Sequence, residues 1–342
     1  MTILPGLCML RICMTTFMNQ LVTYPEFIWR DITWRDRSPY LKVEPLLDGQ
    51  PSSEIETIAI TPGSFLGLTT LPAGALGAGI YCSGYSRAAV DTIGFNQVPC
   101  PAGNTITKGK QCDSCLARDE FAPIHRIHLG SRMNEAALAY VNLEHYLYIA
   151  TFPDGTSKVG TASLHSNPRR LDDQAVAAAT FVARADTGII VRQLEDLVWQ
   201  EANITQFKRA STKYKAWIDP ASTERLKSEH YMAVENATWA LEDAQDTVEG
   251  FDITADRWVP SLAMSRAYAS LRAENPEPLT AYPTLTEGAH GFYISGGTGK
   301  FLTAHFGDPD QTFLINTAEL SNRACRQHGE LTPPASVQES LF

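Results

Sequence analysis

The chain lacks a long uninterrupted hydrophobic run. None of its apolar stretches reaches the roughly 18 residues that a membrane-spanning helix needs. Residues 1–21 are apolar, but Arg11 interrupts them, and they have neither a basic leading segment nor a small-residue cleavage site, so they are not typical of a secretion signal. We therefore expect no membrane segment and interpret residues 1–24 as a poorly ordered extension.

Cysteine is scarce, and its count is odd. The 342 residues include 7 Cys, of which one pair is closely spaced. Such a set fits a reducing cytoplasm better than a framework of disulfides. The sequence therefore predicts a cytoplasmic protein.

A phosphate-binding loop of the P-loop type is also absent. That motif requires Gly-x4-Gly-Lys followed by Ser or Thr, whereas here the glycine-rich stretch 296–299 leads to Lys300 and then Phe301. Residues of strand type flank the glycines on both sides. This pattern predicts a hairpin turn.

Positive charge is in deficit overall but is unevenly distributed. The net charge of -10 argues against a nucleic-acid-binding surface that covers the whole molecule. Residues 208–227 are nevertheless basic and are interleaved with Tyr214 and Trp217, whereas residues 235–256 are acidic. The basic stretch is either a track for a phosphate backbone, with aromatic rings for stacking, or a solvated helix and loop. The acidic stretch indicates a solvated helical face.

Four of the cysteines form a pattern of metal ligands. Cys112 and Cys115 are a C-x2-C knuckle, and Cys82 and Cys100 each lie beside turn-forming residues. Four thiolates suit one tetrahedral structural zinc ion. A redox pair or simple packing are the alternatives, although no βαβ pattern surrounds the knuckle.

A hairpin, a helix, a strand and a second helix are predicted in the middle of the chain. An aromatic, apolar run (146–150), a Pro-Asp-Gly turn and a second β-prone run (156–161) indicate the hairpin. Pro168 suits the first turn of a helix that continues past residue 174, residues 180–183 are β-prone, and apolar residues then recur at helical spacing over 190–198. The predicted order is β-β-α-β-α.

Residues 144–202 resemble the GIY-YIG endonuclease superfamily, particularly branches in which a lysine replaces the second motif's tyrosine. The positions that match are Tyr146 or Tyr148, Lys158, Gly160, Arg170 and Glu195. The resemblance implies that these residues surround one Mg²⁺ or Mn²⁺ ion held by Glu195 and cut a phosphodiester. It implies that a phenol or amine moves a proton, that the guanidinium binds phosphate oxygens, and that one carboxylate holds the cation.

The chain departs from that superfamily in three ways. It has no Gly-Ile-Tyr, Lys-Val-Gly (158–160) replaces Tyr-Ile-Gly, and no second acidic ligand is evident. Each matched residue also has a structural interpretation: a tyrosine in the core, a solvated lysine, a glycine for close packing, an arginine in a solvated first turn, and Glu195 in an i,i+3 pair with Arg192.

A second resemblance covers more of the chain. The cysteine set, the segment from His125 to His128, the hairpin and the Asp-Gln-Ala segment (173–175) look like an uncharacterised bacterial and archaeal family, domain of unknown function 2797, over residues 25–325. That family usually has Asp-Gln-Gly-Ala where this chain has alanine at position 175, a mild change if the segment is helical. The two histidines are candidate substitutes for a cysteine ligand, or structural residues.

Together these patterns predict an α+β protein divided into segments. The segments are a β-rich zinc-binding region (25–139), the GIY-YIG-like unit (140–215), a helical region (216–285), a C-terminal β segment (286–330) and a disordered tail (331–342). The two β-rich segments are candidates for one shared sheet or barrel, with the GIY-YIG-like unit inserted.

Two functions remain open from the sequence. The first is a metal-dependent nuclease that acts on DNA or RNA, which Arg170 and Glu195 favour. The second is a non-catalytic, zinc-stabilised module that binds nucleic acid or protein, which Lys158 and the missing acidic ligand favour. Our hypothesis is a nucleic-acid-associated protein with nuclease activity; the sequence does not determine its oligomeric state.

Overall fold

The computed structural model describes residues 19–72, 79–89, 91–272, 279–308 and 310–334. Most of the expected leading extension and of the expected disordered tail therefore lies outside the described residues. The strands in the described part are β1 (Glu26–Arg35), β2 (Ser38–Leu47), β3 (Gln50–Pro51), β4 (Glu56–Ala59), β5 (Phe65–Leu71), β6 (Ile80–Tyr81), β7 (Tyr85–Ala89), β8 (Gly94–Val98), β9 (Thr105–Ile106), β10 (His145–Thr151), β11 (Ser157–Ser163), β12 (Ala178–Ala185), β13 (Phe251–Trp258), β14 (Thr280–Ala281), β15 (Ala289–Thr298), β16 (Phe301–His305), β17 (Phe313–Asn316) and β18 (Arg323–Gln327).

The helices are short apart from two. They are α1 (Asp113–Leu116), α2 (Glu135–Val141), α3 (Arg169–Asp172), α4 (Gly188–Glu201), α5 (Ala210–Ile218), α6 (Thr223–Ala244) and α7 (Ser265–Arg272), with 3-10 turns at Ala122–Leu129, Leu164–Ser166, Leu262–Met264 and Thr317–Leu320. No helix in the described ranges is both long and apolar enough to cross a membrane. The predicted α+β class is confirmed.

The two β-rich segments do share one sheet, as the sequence allowed. Its ten strands follow the order β14-β17-β16-β15-β5-β18-β1-β2-β3, and β4 pairs with β2. Strand β18 lies between β1 and β5 and pairs with both, so a strand from the C-terminal β segment joins two strands of the N-terminal β-rich region. The glycine-rich stretch is the predicted hairpin turn, because Thr298 pairs with Phe301 and Gly299 has a φ of 55°.

A second, four-stranded sheet carries the predicted β-β-α-β-α order of elements. Its antiparallel strands follow the order β11-β10-β12-β13, which places β11 at an edge. Side chains alternate along β10, so Leu147 and Ile149 face α4 and α6. Tyr148 faces the opposite side of the sheet, where it joins a core that also contains Trp217 of α5 and Trp34 of the large sheet. The two sheets are therefore connected through one continuous core.

The predicted helices need two corrections. Phe251–Trp258 is a strand that pairs with β12, although the sequence suggested helices through this region. β-prone Phe251 and Ile253 pair with Ala185 and Ala183, and Asp252 between them is exposed. Helix α3 ends at Asp172, and Ala175 has a φ of 55° in the left-handed region that favours glycine. Alanine at position 175 is therefore not in a helix, so the expectation of a mild helical substitution does not apply here.

The cysteine-bearing segment is a small unit attached to the large sheet. It contains the hairpin of β7 and β8, the pair of β6 and β9, and α1. Buried Arg30 of β1 donates a hydrogen bond to the carbonyl oxygen of Cys82 (3.0 Å) while its other nitrogens bond Glu44. The buried ion pair with Glu44 fixes the orientation of the Arg30 guanidinium. The hydrogen bond from this guanidinium to Cys82 therefore fixes the position of the unit on the large sheet.

Candidate functional site

The four predicted cysteine ligands converge. Their sulfur atoms all lie within 4.8 Å of one another, and Cys100 Sγ is 3.9 Å from Cys112 Sγ. Tetrahedral zinc with Zn–S bonds of about 2.3 Å places its sulfurs at similar separations. The predicted convergence is confirmed, and the cluster could hold a metal ion such as zinc.

Backbone groups around the cysteine cluster stabilise negative sulfur. The amides of Cys112 and Gly84 donate to Cys82 Sγ at 3.2 and 3.4 Å. A hydrogen bond from the Asn104 side chain is the first cause that lowers the pKa of Cys112 to about 6, whereas burial raises the pKa of Cys82. Gly84 is required here, because a Cβ at this position would lie 1.9 Å from a backbone oxygen. Thiolate ligands and amide donors to sulfur are the donor set of a structural zinc site.

A large cavity lies where the four-stranded sheet, the cysteine-bearing segment and the large sheet meet. It has a volume of about 860 Å³. Seven basic side chains and three acidic ones line it, and two of the basic residues, Lys208 and Lys300, form ion pairs with Asp154 and Asp31 outside the lining. The cationic residues are Lys110, Lys158, Arg170, Arg192, Lys208, Lys213 and Lys300, and the acidic residues are Asp173, Glu195 and Asp196. We call this cavity the cationic cleft.

The edge position of β11 explains why predicted site residues from both faces of the sheet reach the cationic cleft. Lys158 and Gly160 belong to β11 itself, Arg170 comes from α3, and Glu195 comes from α4 on the other face. All four line the cleft. Tyr146 does not: it packs edge-on against Phe181, as its structural interpretation anticipated.

Tyr148 lies directly behind the wall of the cleft. It pairs across the strands with Gly160, where a Cβ would lie only 2.6 Å from the Tyr148 hydroxyl oxygen. The glycine thus leaves room for a fully buried ring, over which the Lys158 Nζ atom lies 5.7 Å from the centroid. In the described part of the chain the Tyr148 hydroxyl has no hydrogen-bond partner. Electrostatic attraction between its oxygen and the Arg170 guanidinium raises the pKa of Arg170, although burial acts to lower it.

The α3 turn divides its charged residues between the core and the cationic cleft. Asp172 is 1% exposed and accepts a hydrogen bond from Trp258 Nε1 (2.8 Å), so the interpretation as a solvated first turn is wrong for this residue. Arg169 and Asp173 form an i,i+4 ion pair at 3.2 Å. Burial raises the pKa of Asp173 to about 6, and Arg169 opposes that shift. Arg170 is exposed and lines the cleft together with Asp173, whereas Arg169 does not.

Glu195 is buried and ion-paired. Its carboxylate bonds the Arg192 guanidinium, the i,i+3 pair anticipated from the sequence, and Arg192 Nη2 lies 3.2 Å from His125 Nδ1. Burial, and then the Arg192 charge, lower the pKa of His125 to about 4. Across the described ranges, the four cysteines are the only group of three or more His, Cys, Asp or Glu side chains that could hold a metal ion. Neither His125 nor His128 belongs to this group.

From the sequence, His128 is a candidate zinc ligand or a structural residue, and Lys213 belongs to the basic stretch that is a candidate track for a phosphate backbone. His128 Nε2 lies 2.8 Å from Asp196, while His128 Nδ1 is buried and has no partner among the described residues. Lys213 is half-buried and its Nζ donates to Gln174 (2.7 Å). Burial is the main cause that lowers the pKa of Lys213 to about 7, and the charge of Lys158 adds to it. The His-x-x-His spacing and the basic stretch were the available signals.

The aromatic residues of the basic stretch do not stack on a ligand. Trp217 is fully buried and its Nε1 donates to the carbonyl of Ala175, and the Tyr214 hydroxyl donates to the carbonyl of Leu314 (2.8 Å). The expectation of stacking by these two rings is therefore wrong. The exposed ring beside the cleft is Phe207, one residue before the stretch, which is 71% exposed.

The acidic stretch is mostly solvated, as expected, but it extends beyond α6 onto β13. Its exposed carboxylates are Glu242, Asp243, Asp246, Glu249, Asp252 and Asp256. None of them lines the cationic cleft. The acidic stretch therefore lies outside the cationic cleft.

Comparison with family models, with curated proteins and with solved structures finds no match to this chain.

Proposed function

We propose that the cationic cleft binds the phosphate backbone of a nucleic acid and that the chain is a GIY-YIG-like, divalent-metal-dependent nuclease. The observation that carries the proposal is the collection of seven cationic side chains in one cavity of a chain whose net charge is -10. Cations crowded in a cleft repel one another: after burial, which is the main cause, the charges of Lys158 and Arg170 lower the pKa of Lys213. A polyanion relieves that repulsion and releases its own counterions on binding.

The residues that line the cleft suit the chemistry of a phosphodiester. Arg170 can bind two phosphate oxygens through its planar fork. The Lys158 amine beside the Tyr148 ring is in position to exchange a proton with water or with a leaving oxygen. Asp173, whose pKa lies near 6, is a further acceptor at the same wall.

Glu195 is the proposed ligand for Mg²⁺ or Mn²⁺. A single carboxylate suits Mg²⁺, which retains most of its waters, but Arg192 has to release Glu195 for this to happen. When bound, the cation would neutralise charge that develops on the phosphate. Competition between Arg192 and a cation for one buried carboxylate is the point on which catalysis depends.

The cysteine cluster has a structural part in this proposal. We propose that it holds zinc and thereby fixes the segment that supplies Lys110 to the cationic cleft, two residues before Cys112. Closed four-cysteine sites stabilise folds and do not catalyse. The same cluster supports the proposed membership of the family of domain of unknown function 2797.

The second candidate function is a binding module without catalysis. It is favoured by the Arg192–Glu195 pair, because a carboxylate neutralised by an arginine needs no metal. In this case the cleft and the zinc site serve binding alone.

Glu195→Gln separates the two functions. The wild type is incubated with Mg²⁺ or Mn²⁺ and single-stranded, duplex and branched DNA and RNA, alongside Glu195→Gln and the control Glu242→Gln, an exposed change on α6. A nuclease loses metal-dependent cleavage by orders of magnitude in Glu195→Gln, keeps nucleic-acid binding, and is unaffected by Glu242→Gln. Binding without cleavage in any variant supports the module instead. If the wild type neither cuts nor binds any of these nucleic acids, both proposals are wrong.

A further inference from the structure

Phe207 is the most exposed aromatic side chain among the described residues. Its ring is 71% exposed and it lines the cationic cleft. Keeping an apolar ring in water is unfavourable, and this one lies at a cavity where charged groups predominate. A ligand that offers both a flat apolar face and negative charge would cover it.

The backbone around Phe207 is fixed rather than loose. Thr205 forms a parallel bridge with Lys158, and its carbonyl accepts a hydrogen bond from the Val159 amide (3.0 Å). The Thr205 hydroxyl in turn accepts from the Phe207 amide (3.3 Å). Phe207 is therefore held at a set position relative to β11, the strand that supplies Lys158 to the cleft.

Two lysines follow Phe207 in the chain and line the same cleft. Lys208 is the next residue and is paired with Asp154 at 2.6 Å, and Lys213 lies in the first turn of α5. Both Nζ atoms lie near the Phe152 ring, at 4.8 and 5.1 Å from its centroid. An exposed ring next to a short row of anchored cations has the form of a site for a base and its phosphates.

The size of the cationic cleft limits which nucleic acid can enter. A cavity of about 860 Å³ has the volume of small-ligand sites. It accommodates an unpaired base with its sugar and phosphates, whereas in a duplex each base is stacked between neighbours and its faces are covered. The ring of Phe207 can contact only a base whose face is free.

We propose that Phe207 is a stacking platform for an unpaired base and that the substrate class of the cationic cleft is single-stranded nucleic acid, with phosphates on Lys158 and Lys213. This proposal rests on the proposed nucleic-acid function and specifies its substrate. Stacking on an aromatic ring is tolerant of sequence, because every base has a π face. Selection is therefore by strandedness rather than by sequence.

The test uses the full chain and oligonucleotides that contain 2-aminopurine, whose fluorescence is quenched by stacking. Single-stranded DNA, single-stranded RNA and duplex DNA of equal length are titrated with wild type, Phe207→Ala, Phe207→Trp and the control Leu262→Ala, an apolar residue that is 89% exposed and does not line the cleft. We expect wild type to bind single strands more tightly than duplex and to change the 2-aminopurine signal. Phe207→Ala should weaken single-strand binding roughly 5- to 100-fold, Phe207→Trp should preserve it, and Leu262→Ala should have no effect.

A salt titration measures the slope of log K against log salt. Loss of a charged contact changes this slope, whereas loss of a stacking contact does not. Phe207→Ala should leave the slope of log K against log salt unchanged, because no phosphate contact is removed. The stacking proposal is wrong if single strands bind but Phe207→Ala binds them as wild type does, if it weakens duplex equally, or if 2-aminopurine does not respond. Absence of binding to every oligonucleotide overturns the proposed function itself, and the stacking proposal with it.

Discussion

Replacing Lys213 with methionine should change how the stability of the protein depends on pH. The pKa of Lys213 is lowered from 10.5 to about 7 in the folded chain, mainly by burial. An unfolded lysine keeps its proton up to its ordinary pKa, so unfolding takes up a proton between pH 7 and 10.5. The lysine's contribution to the free energy of unfolding therefore rises with pH across that window, by about 1.4 kcal/mol per pH unit.

The expected magnitude follows from these two pKa values. The unfavourable contribution of Lys213 to folding is about 4 kcal/mol at pH 7.5 and about 2 kcal/mol at pH 9. A methionine side chain has no charge to desolvate, and Lys213→Met loses the hydrogen bond to Gln174 and the contact of Nζ with the Phe152 ring. The difference in unfolding free energy, variant minus wild type, should fall by about 2 kcal/mol from pH 7.5 to pH 9.

Urea denaturation of wild type and Lys213→Met at both pH values measures this difference. Other titrating groups are present in both proteins and cancel in the comparison. Lys227→Met, a change at an exposed lysine of α6 outside the cationic cleft, is the matched control and should show a difference that does not vary with pH. A pH-independent difference for Lys213→Met as well would refute the reasoning.

Two further predictions concern the metal cluster and the wall of the cleft. Purified protein should contain one zinc per chain, and Cys115→Ser should lose both the zinc and thermal stability. Cys325→Ala, at a buried cysteine outside the cluster, should keep both. Elemental analysis and chelator titration measure the zinc content, and zinc-free wild type would contradict the prediction. Gly160→Ala should cost about 1–3 kcal/mol in unfolding free energy because its Cβ meets a fully buried ring. Gly94→Ala, where the nearest atoms are 3.8 Å away, should be close to neutral by the same measurement, and equal costs for the two changes would count against the packing argument.

The central unit and the cysteine cluster were predictable because their signals are local. Alternating apolar residues, a Pro-Asp-Gly turn and a C-x2-C knuckle act over a few positions, and the structure has the predicted β-β-α-β-α order and the cysteine cluster. The residues of the cationic cleft could not be assembled in the same way. Lys110 and Lys300 come from segments nearly 200 residues apart, and only the large sheet and its attached unit bring them together.

Side-chain direction accounts for the remaining errors. A basic stretch with interleaved rings does not show which residues face the core, and Trp217 is buried between the two sheets while Phe207 is exposed. The backbone of Ala175 is a similar case. Ala175 has a left-handed φ and lies against Gly299, where a Cβ would be 2.7 Å from the alanine, and nothing near either residue in sequence predicts that contact.

The salt dependence of binding to a single-stranded oligonucleotide tests the phosphate-binding cleft most directly. Each phosphate contact contributes a slope of about -0.7 to log K against log salt for single strands. Wild type and Lys227→Ala should share one steep slope, and Lys158→Ala, Arg170→Ala and Lys213→Met should each weaken binding and make the slope shallower by about 0.7. The cleft account is contradicted if these three variants keep the affinity and slope of wild type.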